Sequence, residues 1–269
     1  MHESTLHAPE SNWFITLTYD QEHLPENASL NTQDWQKFAK RWRKRKGKFR
    51  FYQVGEYGTE NGRPHHHAIV YGMKFDALEQ GEKSRKGYTQ LHAPELEEVW
   101  GMGKTAVGAL TWQSASYCAR YIMEKQLGET AEQHYTRLDV DTGEIYEIKP
   151  EYSTMSRRPG IGKGWIDKHI KSVYKTDQVP VHGGKVSRPP KYYDKIQEAL
   201  EVDGLRPPVL EGTRAARRTK ALEWRRKNGK RALEVKEAKL KRDEARKKRD
   251  PGGGECSKEF RKRHIGSHT

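Results

Sequence analysis

Arg63-Pro64-His65-His66-His67-Ala68-Ile69-Val70-Tyr71 is the stretch from which the fold is read. Three histidines run straight into β-favouring apolar residues. Pro64 cannot donate to a sheet ladder and suits the first position of a strand. Side chains alternate across a strand, so His65 and His67 share one face and His66 takes the other. Two imidazoles held close together on a rigid face make a metal clamp. Upstream, Glu56 ends a second apolar run, residues 49–54. Between the runs, Gly58-Thr59-Glu60-Asn61-Gly62 has the composition of a turn. The runs therefore read as neighbouring antiparallel strands, with Glu56 near His65. Two imidazoles and a carboxylate form a divalent-metal site with open positions. Clustered histidines also occur as surface decoration or as tags, but this cluster is internal and set in a strand pattern.

The 269 residues have room for one ordinary domain plus an extension, or for two small domains. Hydrophobic and charged residues stand equal at 33% each, so a compact core is expected to cover only part of the chain. The net charge of +14 favours a polyanionic partner, nucleic acid ahead of an anionic membrane. No apolar run approaches membrane-spanning length, and the N-terminus lacks a signal-peptide apolar region. Cys118 and Cys256 offer neither a disulfide framework nor a zinc spacing, which fits a reducing compartment.

Outward from the histidines, Trp13-Phe14-Ile15-Thr16-Leu17-Thr18-Tyr19 reads as a central strand. Asn31 or Thr32 caps a helix running to about Lys46, with Trp35, Phe38 and Trp42 as its apolar stripe. Arg41, Arg43, Lys44 and Arg45 crowd its end. Cations there suit the helix dipole, and a nucleic-acid contact is the other reading. Residues 74–92 read as a loop. Pro94 opens a short helix ending near Trp100-Gly101, and residues 105–110 form a strand. Gly103-Lys104-Thr105 superficially resembles a phosphate-binding loop, but Glu98 stands where that motif needs glycine, which excludes an ATP-driven motor.

Thr111 or Ser114 opens the next helix, which runs to about Gly128. Tyr117, Tyr121 and Lys125 fall at i, i+4 and i+8 and line one face; core packing of the rings is the competing role. Residues 129–152 are polar, with Asp141-Thr142-Gly143-Glu144 as a turn between short strands. Residues 155–164 make a basic loop in which backbone amides, Arg157, Arg158 and Lys163 could hold phosphates; a solvated loop is the alternative. A short helix at 165–174, a linker with an edge strand at 175–190, and a helix after Pro189-Pro190 follow. Residues 212–250 read as a long charged helix, stopped by Pro251-Gly252-Gly253-Gly254 before a basic, disordered tail. The domain reading is thus 1–175, a linker with a short helix at 176–211, and a basic extension at 212–269.

A divalent metal binds phosphate oxygens and polarises phosphorus. A tyrosine near a cation has its phenolate stabilised and can displace a ribose oxygen, remaining linked to the phosphate. No water is consumed, so the strand can be rejoined, and a second tyrosine one turn away allows a second transfer.

The residues resemble a replication initiator of the HUH endonuclease superfamily. Within it they are most similar to rolling-circle initiators of microviruses, gokushovirus branch. The resemblance rests on residues 14–20, on Gly55-Glu56-Tyr57-Gly58 with Pro64-His65-His66-His67-Ala68-Ile69, on Tyr117-x3-Tyr121-x3-Lys125, and on residues 155–162. It covers the chain to about residue 175. The middle residue of the His-x-His motif is usually hydrophobic and is His66 here; a shifted register would make His66 a ligand. The resemblance implies an α+β fold with a five-stranded antiparallel sheet flanked by helices. It also implies Mg²⁺ or Mn²⁺ on His65, His67 and Glu56, with Tyr117, Tyr121 and Lys125 as the catalytic group. It implies single-stranded and duplex origin DNA, a host polymerase and a helicase as partners, and work in the bacterial cytoplasm. Two other readings compete: a two-His, one-carboxylate Fe(II) oxygenase, which leaves the charge and the tyrosine face unexplained, and a non-enzymatic basic nucleic-acid-binding protein.

Overall fold

The computed structural model describes residues 1–58, 62–83, 89–121, 129–139 and 142–249. Its elements run β1 (Asn12–Thr18), α1 (Thr32–Lys46), β2 (Arg50–Tyr57), β3 (Pro64–Tyr71), β4 (Glu79–Lys83), β5 (Thr89–His92), α2 (Pro94–Trp100) and β6 (Thr105–Ala109). Then come α3 (Trp112–Tyr121), α4 (Glu129–Tyr135), β7 (Thr136–Leu138), β8 (Ile145–Glu147) and β9 (Tyr152–Met155). The chain closes with α5 (Lys163–Thr176), β10 (Val179–Pro180), β11 (Val186–Ser187), α6 (Lys191–Val202) and α7 (Leu210–Arg249). Two compact units divide it: Met1–Lys171 with Val179–Ser187, and Ser172–Gln178 with the residues from Arg188 onward.

The first unit is built on an antiparallel sheet in the order β4-β5-β6-β1-β3-β2-β9. The α+β class with a large antiparallel sheet is as expected, but the sheet has seven strands rather than five. The additional pair, β4 and β5, falls in residues 74–92, which read as loop in sequence. Glu79-Gln80-Gly81-Glu82-Lys83 has no alternating apolar pattern, and its ladder with β5 is irregular between Gln80 and Lys83. An edge strand of this kind is held by its neighbour rather than by a buried face. The histidine strand β3 lies between β1 and β2, with Thr16 opposite His67 and Glu56 opposite His65.

Strand alternation sends the two faces to different layers. Ile15, Leu17, Ala68, Val70 and Val107 pack under α1 and α2, against Trp35, Phe38, Trp42, Leu96 and Trp100. Burying side chains of this size contributes about 1.5–3 kcal/mol each, so this face is the main core. The opposite face presents Phe14, Tyr52, Val54, Ile69 and Tyr71 to Cys118 and Ala115 of α3. The helix ends follow local chemistry. Asn31 caps α1 by accepting from Gln33 N at 3.1 Å, and Gly47 leaves it at φ 98°. For α3, Thr111 N donates to Ser114 Oγ (2.9 Å) and Ser114 N donates to Thr111 Oγ1 (3.1 Å), a reciprocal capping box.

Smaller pieces complete the unit. β7 pairs with β8, as the polar segment with a turn predicts, and α4 precedes them; β10 pairs with β11. The segment read as a linker holds this hairpin and α6. In the second unit Tyr174 donates to Asp194 (2.8 Å), and Arg217 bridges Asp194 (2.7 Å) and Asp177 (2.8 Å). Glu201 accepts from the backbone of Val209 and Leu210 at 3.0 Å each, capping α7. Among the described residues no helix is long and apolar enough to cross a membrane.

Candidate active site

His65 and His67 project from β3 on the face covered by α3, and Glu56 from the facing position of β2. Glu56 Oε1 lies 2.8 Å from His65 Nε2 and 3.0 Å from His67 Nε2. The three residues are the one group among those described whose ligand atoms could jointly hold a metal ion, all within 4.8 Å of one another.

Backbone and side-chain partners turn the ring nitrogens inward. His65 Nδ1 donates to the carbonyl of Arg63 at 3.1 Å. A carbonyl can only accept, so Nε2 of the neutral ring presents a lone pair to the carboxylate. Two acceptors at 2.8 Å repel unless a proton or a cation lies between them. His67 Nδ1 is held by Thr16 Oγ1 at 2.9 Å. Such outer partners fix tautomer and orientation in metal-binding histidines. Burial lowers the pKa of His67 and favours its neutral form. Burial raises the Glu56 carboxyl, but its hydrogen bonds with His65 and His67 outweigh that and leave it below its ordinary value. Glu56 Oε2 is buried and has no hydrogen-bond partner. An orphaned carboxylate oxygen beside two imidazole lone pairs fits a divalent cation.

His66 points the other way. Its ring is wholly buried, accepts from Gln53 Nε2 at Nδ1 (3.2 Å) and donates from Nε2 to Tyr19 Oη (2.9 Å); Tyr19 in turn donates to Asp34 (3.0 Å). Burial drives its pKa down to about 3. The register thus presents His65 and His67 to the α3 side and ties His66 into the core beneath.

Tyr117 reaches the triad from α3. Its hydroxyl donates to Glu56 Oε1 at 3.1 Å and stands 3.5 Å from His67 Nε2. The ring meets Phe14 edge-on, and Phe14 itself stacks on His67. Tyr117 is therefore half-buried at the site rather than lost in the core. Tyr121 ends α3 one turn later, and Lys125 lies outside the described residues.

The basic residues separate. Arg41 donates to the carbonyls of Val99 (2.9 Å) and Trp100 (2.8 Å), closing the end of α2. Arg43 lies over Phe49 and Phe51, and Arg45 pairs with Glu98 at 2.5 Å. Lys44 is exposed on the same helix. All four sit on α1, across the sheet from the triad. Arg157 and Arg158 are exposed in a loop that Arg50 grips through the carbonyls of Pro159 and Gly160, both at 2.9 Å. Lys163 pairs with Asp167 at 2.5 Å. That loop meets β2 at Arg50, six residues or about 20 Å along the strand from Glu56.

Sequence reasoning missed Thr16 and the Arg63 carbonyl. The first could have been found by pairing the Thr-rich strand against the histidine strand; a backbone carbonyl leaves no residue-type signal.

Residues 12–126 match a family model described as that of the replication-associated protein ORF2. The replication-associated protein ORF2 of Spiroplasma virus 4 is 34% identical over 202 residues, which is 71% of this chain and 59% of that protein. Replication-associated protein VP4 of Bdellovibrio phage phiMH2K is 27% identical over 201 residues, 71% of this chain and 59% of that one. Replication-associated protein ORF4 of Chlamydia phage 1 is 28% identical over 203 residues, 72% and 48% respectively. The chain thus spans between 48% and 59% of the length of these curated relatives. No solved structure matches. The kinship expected from the motifs is borne out, and the matched span contains Thr16, Glu56, His65, His67 and Tyr117.

Proposed function

We propose, since this chain belongs to the replication-associated proteins of the microvirus kind, that it nicks and rejoins DNA at a replication origin by tyrosine transesterification. The observation that carries the reading is the Tyr117 hydroxyl, hydrogen-bonded to the carboxylate of a two-histidine, one-glutamate group. His65, His67 and Glu56 would hold Mg²⁺ or Mn²⁺, which supplies charge withdrawal from phosphate oxygens when bound.

The chain's own residues do the rest. Glu56 Oε1 holds the Tyr117 proton, so the phenol oxygen turns its lone pairs away from the carboxylate. Phe14 braces the ring against rotation. Attack by Tyr117 forms the tyrosyl-phosphate bond and breaks the bond to the 3′ oxygen, which leaves as a hydroxyl after taking up a proton. The 5′ phosphate stays on the protein. The freed 3′ hydroxyl would prime a host polymerase, with a host helicase opening the duplex in the bacterial cytoplasm. Tyr121, one turn later, would make the second transfer that ends a round, with Lys125 supporting the phenolate. Residues 1–175 would form the nuclease domain, 176–211 a connection, and 212–269 an extension that holds DNA.

The test is to mix protein, short single-stranded DNA carrying the origin and Mn²⁺, then map any covalent adduct. The expected adduct peptide carries Tyr117 or Tyr121, and the double phenylalanine variant forms none. His65→Ala with His67→Ala should abolish the adduct and leave the fold intact. A DNA-linked peptide bearing Tyr57 or Tyr135 instead would sink the mechanism.

A further inference from the structure

We infer that the stacked ring pair Trp112 and His182 is a platform for the bases of single-stranded DNA. Trp112 opens the helix that carries Tyr117, yet it is 40% exposed. Five residues separate the two, about 7.5 Å of helix. A tryptophan left in water at a helix start contributes little to folding. Its face is instead met by the exposed ring of His182, nearly parallel at 12° with centroids 6.0 Å apart.

The partner is held in place. His182 lies in the loop between β10 and β11, which Val181 N closes by donating to the Lys185 carbonyl at 2.8 Å. Gly183 and Gly184, at φ 72° and 70°, make the turn, and nothing lies within 4 Å of where their side chains would be. His2 anchors the base of the hairpin through the Pro180 carbonyl (2.8 Å) and stacks on Trp165 of α5 at 3.9 Å. The platform is thus a ring pair with a supported back and an open front.

Its borders are cationic. Lys185 is exposed on the hairpin. Leu110, two residues before Trp112, packs against the same buried cluster as Ile161 of the basic loop. Arg157 and Arg158 therefore leave the sheet at the same end as Trp112. Aromatic faces bordered by lysine and arginine suit a strand whose bases stack and whose phosphates are neutralised alongside. A protein-docking patch would have an apolar centre depleted of charge. Every base has a π-face, so this platform takes any sequence and leaves recognition of the cut site to other residues.

The inference deepens the nuclease reading by giving the strand a path away from Tyr117, and it is tested without cleavage. Binding of a fluorescein-labelled single-stranded oligonucleotide is followed by anisotropy in metal-free buffer, beside an abasic strand of equal length. Trp112→Ala should weaken the oligonucleotide about tenfold and leave the abasic strand unchanged, since stacking is lost and phosphate contacts are not. His182→Ala should shift affinity the same way by less, and Trp112→Phe should restore most of it. Unaltered binding by Trp112→Ala, or an equal loss on the abasic strand, overturns the platform. The adduct assay is a separate readout. Trp112-dependent binding by a protein that forms no adduct keeps the platform and removes the nuclease; adduct formation with Trp112-independent binding does the reverse.

Discussion

Thr16 does for His67 what the Arg63 carbonyl does for His65: it occupies Nδ1 and leaves Nε2 for the site. Thr16→Val keeps the shape of the strand and removes only that partner. Apparent Mn²⁺ affinity should fall about 10- to 100-fold, measured by calorimetric titration, with little change in the melting temperature of the metal-free protein. An unchanged affinity would mean that ring packing against Phe14 alone orients His67. Other residues beside the site are made inert by their surroundings: burial raises the Cys118 thiol to about 12, so it is no rival nucleophile to Tyr117. The ligands themselves were legible because a strand has a period of two, so His65-x-His67 declares a shared face in sequence. Thr16 was not, because its meeting with His67 depends on the β1–β3 register across 51 residues.

Among the elements, β2 shows how tightly the two faces are coupled. Glu56 faces the site and Gly55 the opposite layer, where an added Cβ would stand 2.5 Å from the Tyr152 ring and 3.1 Å from Leu30. Tyr152 is one of the groups around His66, with its hydroxyl 3.4 Å from Gln53. Gly55→Ala should therefore overpack this layer and cost about 1–3 kcal/mol, read as a lower urea midpoint with unchanged slope. Equal midpoints would show that Tyr152 moves freely. Helix limits were legible where a cap residue names them, as Asn31 and Pro94 do. The edge hairpin β4–β5 was not, because its pairing is backbone to backbone and leaves no apolar alternation. The basic end of α1 was open in sequence between dipole and ligand roles. The fold gives Arg41 to the carbonyls of α2 and Arg43 to two phenylalanine rings, contacts that residue type alone does not announce.

Across the whole molecule, charge and chemistry are segregated. Residues 212–269 carry 21 Lys and Arg against 8 Asp and Glu, leaving a net +1 for the first 211 residues. Attraction to DNA should therefore follow the extension rather than the sheet. Truncation before Gly212 is expected to weaken DNA binding and flatten its dependence on salt, because fewer counterions are released. A salt slope equal to that of the full chain would assign the phosphate contacts to the first unit instead. Such a division of labour was partly legible, since composition alone reports where charge accumulates. The central strands have a further consequence, one of time. β1, β2 and β3, which hold Thr16, Glu56, His65 and His67, are all complete by Tyr71, whereas Tyr117 follows His67 by 50 residues. At ribosomal speeds of roughly 5–20 residues per second, the clamp precedes its tyrosine by about 3–10 seconds. A newly made chain passes through an interval in which it can grip an ion but has nothing with which to cut.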